Sequence, residues 1–203
     1  MPALLTPVTL AGAHVRLEPM AKRHVDALWD TGRDPALWEL SLARISTRDD
    51  MARYVARALA ERAAGTALPF VHVEAAGGRV VGSTRFGSYA PEHRRVEIGW
   101  TWIAAPWQRT AVNTEAKRLM LAHAFGALGV TRVEIKTDAL NTRSRAAIAR
   151  LGAREEGTLR RHMVTDAGRA RDTVYFSILA DEWPAVRDRL DARLAGERSA
   201  GGA

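Results

Sequence analysis

The polar stretch from residue 107 to residue 117 could bind an anion. It reads WQRTAVNTEAK, follows the apolar run VEIGWTWIAAP and leads into residues with helical spacing. A helix N-terminus presents amides without intrahelical acceptors and the positive end of the helix dipole, which suits a phosphate. The side chains of Gln108, Arg109 and Thr110 could add donors. Ordinary helix capping is the alternative, with three candidates, Thr110, Asn113 and Thr114.

A carboxylate stands inside the apolar strand that precedes this stretch. Glu97 is the second residue of VEIGWTWI. Burial would make such a carboxylate more basic, which suits a general base. The alternative is a Glu97 on the solvated face of the strand, paired with Arg94 or Arg95.

Two histidines are further candidates. His162 could act as a second base because an imidazole titrates near neutral pH, or it could be a surface residue among arginines. His72 alternates with Val71 and Val73 and could point into a cleft. The 6 histidines show no metal-ligand spacing and cysteine is absent, so we expect no metal site.

Composition limits the class of protein. The 203 residues are 47% hydrophobic, which suits one domain with a sizeable core. No apolar run approaches about 18 residues, and we see no signal peptide at the N-terminus. The lack of cysteine is compatible with a reducing cytoplasm, where we expect the protein. The formal charge of +7 comes from scattered arginines and favours a phosphate-rich small ligand over nucleic acid.

The apolar pattern predicts alternating helices and strands. We predict strands at 14–19, 68–76, 79–89, 96–103 and 131–139, with two more between 153 and 180 around a turn at 166–169. We predict helices at 21–32, at 49–65 with Asp49 or Asp50 as N-cap, from about 111 to Gly129, at 141–152 between the caps Asn141 and Gly152, and from 181. Residues 34–46 form an irregular segment.

This order predicts a mixed α/β domain with one sheet. The three consecutive strands between residues 68 and 103 should form an antiparallel meander. We expect a single domain over residues 1–195 and a disordered tail over residues 196–203.

Four motifs in this order resemble the GNAT N-acetyltransferases and, within them, the RimJ/RimL-like branch. They span about residues 13–190. VEIGW resembles the family's fourth strand, and WQRTAVNTEAKRLML its coenzyme loop and following helix. TDALNTRSRAAIARLGAREEGTLR resembles its Asn-x-x-Ser helix with the Glu-Gly-x-x-Arg that follows. DTVYFSILADEW resembles the branch's closing strand and Glu-Trp.

The resemblance implies a GNAT-like α/β (mixed α+β) domain with a central, twisted, mixed and mostly antiparallel sheet flanked by helices. It implies acetyl-CoA as cosubstrate, no metal, and direct attack of a primary amine on the thioester. The loop would bind the pyrophosphate of acetyl-CoA, with six candidates by position: Gln108, Arg109, Ala111, Val112, Asn113 and Thr114. Ala111 and Asn113 depart from the motif's glycine and its glycine or alanine, so we expect binding with some rearrangement of the loop.

The resemblance also implies catalytic roles. Glu97 would be the base, directly or through water. Ser144 would lie near the coenzyme sulfur and help the thiolate leave, while Asn141 would contact the pantetheine arm or hold the loop. The alternative is that Asn141 only caps its helix and Ser144 bonds to a backbone carbonyl. Ile148 stands where many members carry a tyrosine acid.

Backbone amides should stabilise the oxyanion on the strand before the loop. The resemblance points to the range from Trp102 to Ala104, so Trp102 and Ile103 join the residues expected to contact the coenzyme. The first helical segments cover the acceptor in this family, which makes Trp29 and Trp38, with His72 and His162, the candidate acceptor residues.

The acceptor would be a protein or peptide N-terminus or a small amine. An edge strand near the C-terminal hairpin could pair two subunits into a homodimer. We expect neither nucleic acid nor membrane as partner. The alternative function is a non-catalytic module that senses acyl-CoA or binds protein, and a nucleic-acid binder ranks third.

Overall fold

The computed structural model describes residues 5–200, with side chains described as far as residue 196. The strands are β1 Leu10–Ala11, β2 Val15–Pro19, β3 Leu68–Glu74, β4 Val80–Ala90, β5 Arg95–Ile103, β6 Arg132–Asp138, β7 Arg154–Val164 and β8 Ala170–Leu179. The helices are α1 Val25–Gly32, α2 Arg48–Ala63, α3 Ala111–Gly126, α4 Thr142–Leu151 and α5 Trp183–Ala200. Every predicted element is present, and only the short β1 was missed.

The eight strands form one sheet in the order β1-β2-β3-β4-β5-β6-β8-β7. All neighbouring strands are antiparallel except β5 and β6, which are parallel. The predicted mixed and mostly antiparallel sheet is therefore confirmed, as is the meander of β3, β4 and β5.

The parallel strands β5 and β6 pair only at their N-terminal ends. The register joins Arg95–Glu97 to Arg132–Glu134 and ends there, while β5 continues to Ile103 and β6 to Asp138. Helix α3 makes the crossover that a parallel pair requires. The C-terminal halves of β5 and β6 therefore border a wedge-shaped gap, the position at which parallel strands commonly bind ligands.

Helices cover most of one face of the sheet and part of the other face, while strand β7 is exposed along its whole length. Helices α3, α4 and α5 pack on the first face, over large buried side chains that include Phe70, Phe86, Met120 and Phe176. Helices α1 and α2 pack on the second face, over an apolar cluster that includes Val71, Val73 and Trp102. Among the described residues, that cluster contains none from β6 or β8.

The part of the second face that α1 and α2 do not cover is polar. On β6, Val133 and Ile135 belong to the core of the first face, so the residues between and after them face the other way. The same alternation holds on β8, where Val174, Phe176 and Ile178 are core residues. The side chains that share the second face are Glu134, Lys136, Asp138, Arg171, Thr173, Tyr175 and Ser177.

Helix α2 begins slightly earlier than predicted. Its N-cap is Thr47, whose hydroxyl accepts from the Asp50 amide at 3.1 Å, while Oδ2 of Asp50 accepts from the Thr47 amide at 2.8 Å. The prediction of Asp49 or Asp50 as N-cap was wrong because Thr47 and Asp50 form a reciprocal capping box, with the N-cap two positions before Asp49.

The termini of α4 agree with the prediction, and α5 is longer than expected. Asn141 is the N-cap of α4, and Gly152 ends the helix with a φ of 101°. Helix α5 runs to Ala200, past residue 196, where the tail was expected to begin. Residues 201–203 of that expected tail lie outside the described residues.

Candidate active site

Strand β5 carries a bulge where the gap opens. Trp102 pairs with Ser83 and Gly99 pairs with Arg85, so β5 has one extra residue opposite β4. Trp100 lies within the bulge with a φ of 50°, which is unusual for a bulky residue. The bulge changes the direction of β5 at the point where it leaves β6.

The backbone of Ile103 faces the gap. The Ala104 amide donates to the Val81 carbonyl at 2.9 Å, toward β4. Because backbone groups alternate in direction along an antiparallel pair, those of Ile103 point away from β4. Nε2 of Gln108 donates to the Ile103 carbonyl at 2.8 Å. Within the expected oxyanion range, the Ala104 amide is therefore occupied and the Ile103 amide is directed at the gap.

The turn between β5 and α3 presents free amides. Arg109 adopts a φ of 63°, and Thr110 is the N-cap of α3. The Thr110 hydroxyl accepts from the Val112 amide at 3.3 Å, so capping occupies one first-turn amide. The geometry of a helix leaves the amides of Ala111 and Asn113 without an intrahelical acceptor. These two amides and the helix dipole could hold an anion.

Arginines lie beside this helix terminus. Nη1 of Arg143, on α4, donates to Oε1 of Gln108 at 3.0 Å and joins the two sides of the gap. Arg143 and Arg109 are exposed and add positive charge, whereas Thr114 is buried. Sequence analysis missed Arg143, although it stands between the Asn and the Ser of the Asn-x-x-Ser motif.

Helix α4 begins on the β6 side of the gap. Oδ1 of Asn141 accepts from the Ser144 amide at 2.9 Å, so this side chain caps the helix. Ser144 is half-buried, and its hydroxyl makes no hydrogen bond within the described part of the chain. The hydroxyl is therefore not bonded to a backbone carbonyl and is available to a ligand.

Glu97 lies at the closed end of the gap and is 5% exposed. Its Oε2 accepts from the Ser88 hydroxyl at 2.9 Å and lies 2.7 Å from Nζ of Lys136 on β6. The alternative partners Arg94 and Arg95 are not used: Arg95 pairs with Glu134 instead. The buried carboxylate is thus paired with a cation from the neighbouring strand.

Lys136 and Tyr175 continue this polar row. Burial lowers the pKa of Lys136, but the charge of Glu97 and the hydrogen bonds to Glu97 and Tyr175 outweigh it, so the net pKa is raised. Nζ of Lys136 lies 5.0 Å from the centre of the Tyr175 ring. Nε2 of His162, on β7, lies 3.5 Å from the Tyr175 hydroxyl, and His162 is exposed. Sequence analysis missed Lys136, although it alternates with the apolar residues of VEIKTD.

His72 lies on the other face of the sheet. It is completely buried under α3, and neither ring nitrogen has a hydrogen bond of ordinary geometry within the described residues. Burial, followed by the charge of Lys117, lowers the pKa of His72 to about 3. The ring is therefore neutral and shielded from the polar row. Nζ of Lys117 donates to the Thr101 hydroxyl at 2.7 Å, next to the bulge of β5.

The two tryptophans of the first helical segments are used differently. Trp38 is buried, donates its Nε1 to the Gly32 carbonyl at 2.6 Å and packs 5.2 Å from the Trp102 ring. Trp38 also lines a cavity of about 360 Å³ with Ile45, Thr165 and Arg169. Trp29 packs against the apolar cluster under α1 and α2 and does not line this cavity. The Trp102 ring belongs to the apolar cluster under α1 and α2, and the alternation that directs the Ile103 backbone at the gap directs the Trp102 backbone at β4. Trp102 is therefore not placed to contact a ligand in the gap, contrary to the prediction.

The described residues contain neither a candidate metal site nor a candidate membrane-spanning helix. No group of three or more histidine, aspartate or glutamate side chains in residues 5–196 could hold a metal ion. No helix in the described part of the chain is long and apolar enough to span a membrane.

Comparison with known proteins agrees with this geometry. Residues 14–154 match the family described as Acetyltransferase (GNAT) domain. A Bacillus subtilis protein, provisionally named ribosomal N-acetyltransferase YdaF, is 37% identical over 91 residues, which are 45% of this chain and 49% of that protein. The matches span about half the length of the curated relatives.

Solved structures are similar over nearly the whole chain. A GCN5-related N-acetyltransferase from Brucella melitensis is 30% identical with a TM-score of 0.88, over 95% of this chain and 88% of that one. Mycobacterium smegmatis RimJ, solved in complex with CoA-disulfide, is 30% identical with a TM-score of 0.73, over 97% and 96% of the two chains.

Proposed function

The chain belongs to the GNAT acetyltransferase family, and on that premise we propose that it is an acetyl-CoA-dependent N-acetyltransferase of RimJ/RimL-like type. The observation that carries the proposal is the wedge between β5 and β6. It has Glu97, paired with Lys136, at its closed end and the free amides of α3 at its mouth.

The residues around the gap fit acetyl-CoA. The pyrophosphate would accept from the amides of Ala111 and Asn113, beside the charges of Arg109 and Arg143. The pantetheine arm would follow the backbone of Ile103, which faces the gap. Alanine and asparagine replace the glycines of the motif, yet both keep an amide and both lie in regular helix. These two substitutions relative to the family motif therefore keep both amide donors that the pyrophosphate would need.

When bound, acetyl-CoA supplies a thioester carbonyl, whose C–S bond breaks as the C–N bond forms. The net reaction moves one proton from the amine nitrogen to the sulfur. Glu97 would accept the proton that the amine loses, since its buried carboxylate is positioned by Ser88 and Lys136. Ser144 would donate to the sulfur through its unpaired hydroxyl, and the Ile103 amide would stabilise the carbonyl oxygen.

The acceptor would reach Glu97 from the uncovered polar face. A protein or peptide N-terminus and a small amine both remain within the proposal, and the name of the Bacillus subtilis relative favours a ribosomal protein. The cavity beside Trp38 and Arg169 would hold the part of the acceptor next to the amine. A homodimer that pairs through the exposed edge strand β7 is a further part of the proposal.

Calorimetric titration with acetyl-CoA tests the coenzyme site. Wild-type protein should bind, and Asn113→Pro should bind about 10- to 100-fold more weakly because one amide donor is lost. Proline in the first turn removes an amide that the helix does not use, so the fold should persist. Asn113→Ala keeps the amide and is the matched control.

The same titration separates the proposal from its alternative. If the wild-type protein binds no acetyl-CoA, the proposal of an acetyltransferase is overturned and a protein-binding module becomes the better interpretation. Binding without acetyl transfer to any amine would favour a non-catalytic acyl-CoA sensor. That alternative rests on Ala111 and Asn113 in place of glycine and on Ile148 in place of a tyrosine acid.

A further inference from the structure

Arg171 is a buried cation without an adequate partner. It lies on β8, is 7% exposed, and its Nε has no hydrogen-bond partner within the described residues. Its nearest carboxylate oxygen is Oδ2 of Asp138, 4.0 Å from Nε, which is too far for a hydrogen bond. An unpaired charge in this environment is costly, so its retention requires an explanation.

Asp138 is already committed to other donors. Its Oδ1 accepts from the Leu140 amide at 2.9 Å, and its Oδ2 accepts from the guanidinium of Arg169. Glu97 is likewise occupied by Ser88 and Lys136. Glu134, on the same face, pairs with Arg95 and Arg132. Around Arg171 the polar face therefore carries three further cations, Lys136, Arg169 and Arg171, against two carboxylates, Glu97 and Asp138. One positive charge is left over.

The electrostatic surroundings of Arg171 agree with this balance. Burial lowers the pKa of Arg171, the charges of Asp138 and Glu97 raise it, and that of Arg169 lowers it, with burial dominant. An arginine nevertheless stays protonated near neutral pH. The surplus charge is thus permanent and lies on the same face of the sheet as Glu97.

A second unsatisfied group lies beside Arg171. Thr173 is two residues further along β8, on the same face, and pairs in register with Asp138. Its side chain is completely buried, and its Oγ1 has no hydrogen-bond partner in the described part of the chain. Two buried donors on one face, both unsatisfied, have the chemistry of a site for a small anion with two acceptor oxygens.

We propose that Arg171 and Thr173 form a subsite for a carboxylate of the acceptor, next to the site of acetyl transfer. The acceptor is then an amine whose molecule carries a carboxylate close to the amino group. This inference rests on the proposed function. Such a carboxylate comes either from a free amino acid or from an acidic first residue of a peptide.

Matched acceptors test the subsite in the wild-type enzyme. With acetyl-CoA saturating, free amino acids are compared with their amides, and peptides that begin with Asp or Glu with peptides that begin with Asn or Gln. The carboxylate member of a pair should have a KM about 10- to 100-fold lower, the effect of one charged hydrogen-bonded contact. The pair that shows the preference identifies the source of the carboxylate. Equal KM values in both pairs would overturn the subsite.

Variants test whether Arg171 and Thr173 cause the preference for acceptors with a carboxylate. Arg171→Met should raise the KM for the carboxylate member to that of its neutral partner, with the KM for acetyl-CoA unchanged. Thr173→Val should produce part of this loss while it preserves the shape of the side chain. Arg154→Met removes an exposed arginine from the neighbouring strand β7 and should change neither KM. An unchanged preference in folded Arg171→Met would contradict the assignment.

A binding measurement separates this inference from the proposed function. Calorimetry with N-acetylated amino acids, in the presence of CoA, needs no acetyl transfer. Binding to wild type that is weakened in Thr173→Val, with its minimal change of shape, supports the subsite even if no acceptor is acetylated. Acetyl transfer without any preference for a carboxylate, and without binding of N-acetylated amino acids, would support the proposed enzyme and overturn the subsite.

Discussion

Nζ of Lys136 lies 2.7 Å from Oε2 of Glu97, just beyond the short paired section of the two parallel strands. The pair closes the narrow end of the wedge and fixes a buried carboxylate beside the polar face. The proposed proton acceptor is therefore positioned by a residue that is 39 positions away in sequence but adjacent in the sheet.

Substitution of the proposed base should reduce turnover. Glu97→Gln keeps the size and the hydrogen bond from Ser88 but cannot accept a proton. We expect kcat to fall by about 100-fold or more, the usual contribution of general base catalysis, with acetyl-CoA affinity unchanged. Steady-state rates measure this change, and Glu92→Gln, at an exposed carboxylate before β5, is the control. Full activity in Glu97→Gln would assign proton transfer to another group.

Removal of the positive charge of Lys136 should change the pH dependence of kcat. In Lys136→Met, the proposed base loses the cation that lies 2.7 Å from its Oε2, and the loss of a neighbouring positive charge favours the neutral form of a carboxyl group. The acid limb of the kcat–pH profile should therefore move to higher pH, with activity retained on the alkaline side. Rate–pH profiles of wild type and variant test this shift, and Lys136→Arg should restore the wild-type limb. An acid limb at the same pH in Lys136→Met and in wild type would show that Lys136 does not influence the catalytic base.

Buried Lys117 should make stability depend on pH. Burial lowers its pKa from 10.5 to about 7 in the folded protein. Between these values the unfolded chain holds a proton that the folded chain lacks, so the free energy of unfolding rises with pH. Lys117→Met should be more stable than wild type at pH 7, and this difference should shrink by roughly 2 kcal/mol by pH 9. Urea unfolding at both pH values measures it, and a constant difference would refute the shifted titration.

Glu115 should hold the N-terminal segment on α3. Its buried carboxylate accepts from the amides of Ala13, His14 and Val15 at 2.9, 2.6 and 2.8 Å. Glu115→Ala removes all three acceptors and should lower the free energy of unfolding by about 2–4 kcal/mol. Thermal unfolding beside the exposed-site variant Glu92→Gln measures this loss. A loss no larger than that of the control would mean that water replaces the carboxylate.

Local signals predicted most of the fold. The alternation of Val133 and Ile135 identified β6, and Asn141 and Gly152 bounded α4, because these features depend on residues close in sequence. The four motifs then identified the family and its sheet. The polar segment at 107–117 does contain a helix start with free amides, as predicted.

Contacts between distant residues were not predictable in the same way. The bulge at Trp100 arises from pairing with β4; Gly99 beside it is a local signal of a bulge but does not show which residue adopts the positive φ. His72 alternates with Val71 and Val73, as the sequence indicated, but the pattern did not show that its face is the one buried under α3. The partners of Glu97 and the surplus charge of Arg171 depend on residues from separate strands.

Mass spectrometry of an amine after incubation with the protein and acetyl-CoA tests the central claim most directly. The amines should include free amino acids and acidic peptides, and Glu97→Gln should serve as the inactive comparison. We predict a mass increase of one acetyl group on at least one amine, dependent on acetyl-CoA and strongly reduced in Glu97→Gln. No acetylated amine with wild-type protein that binds acetyl-CoA would contradict the assignment of an N-acetyltransferase.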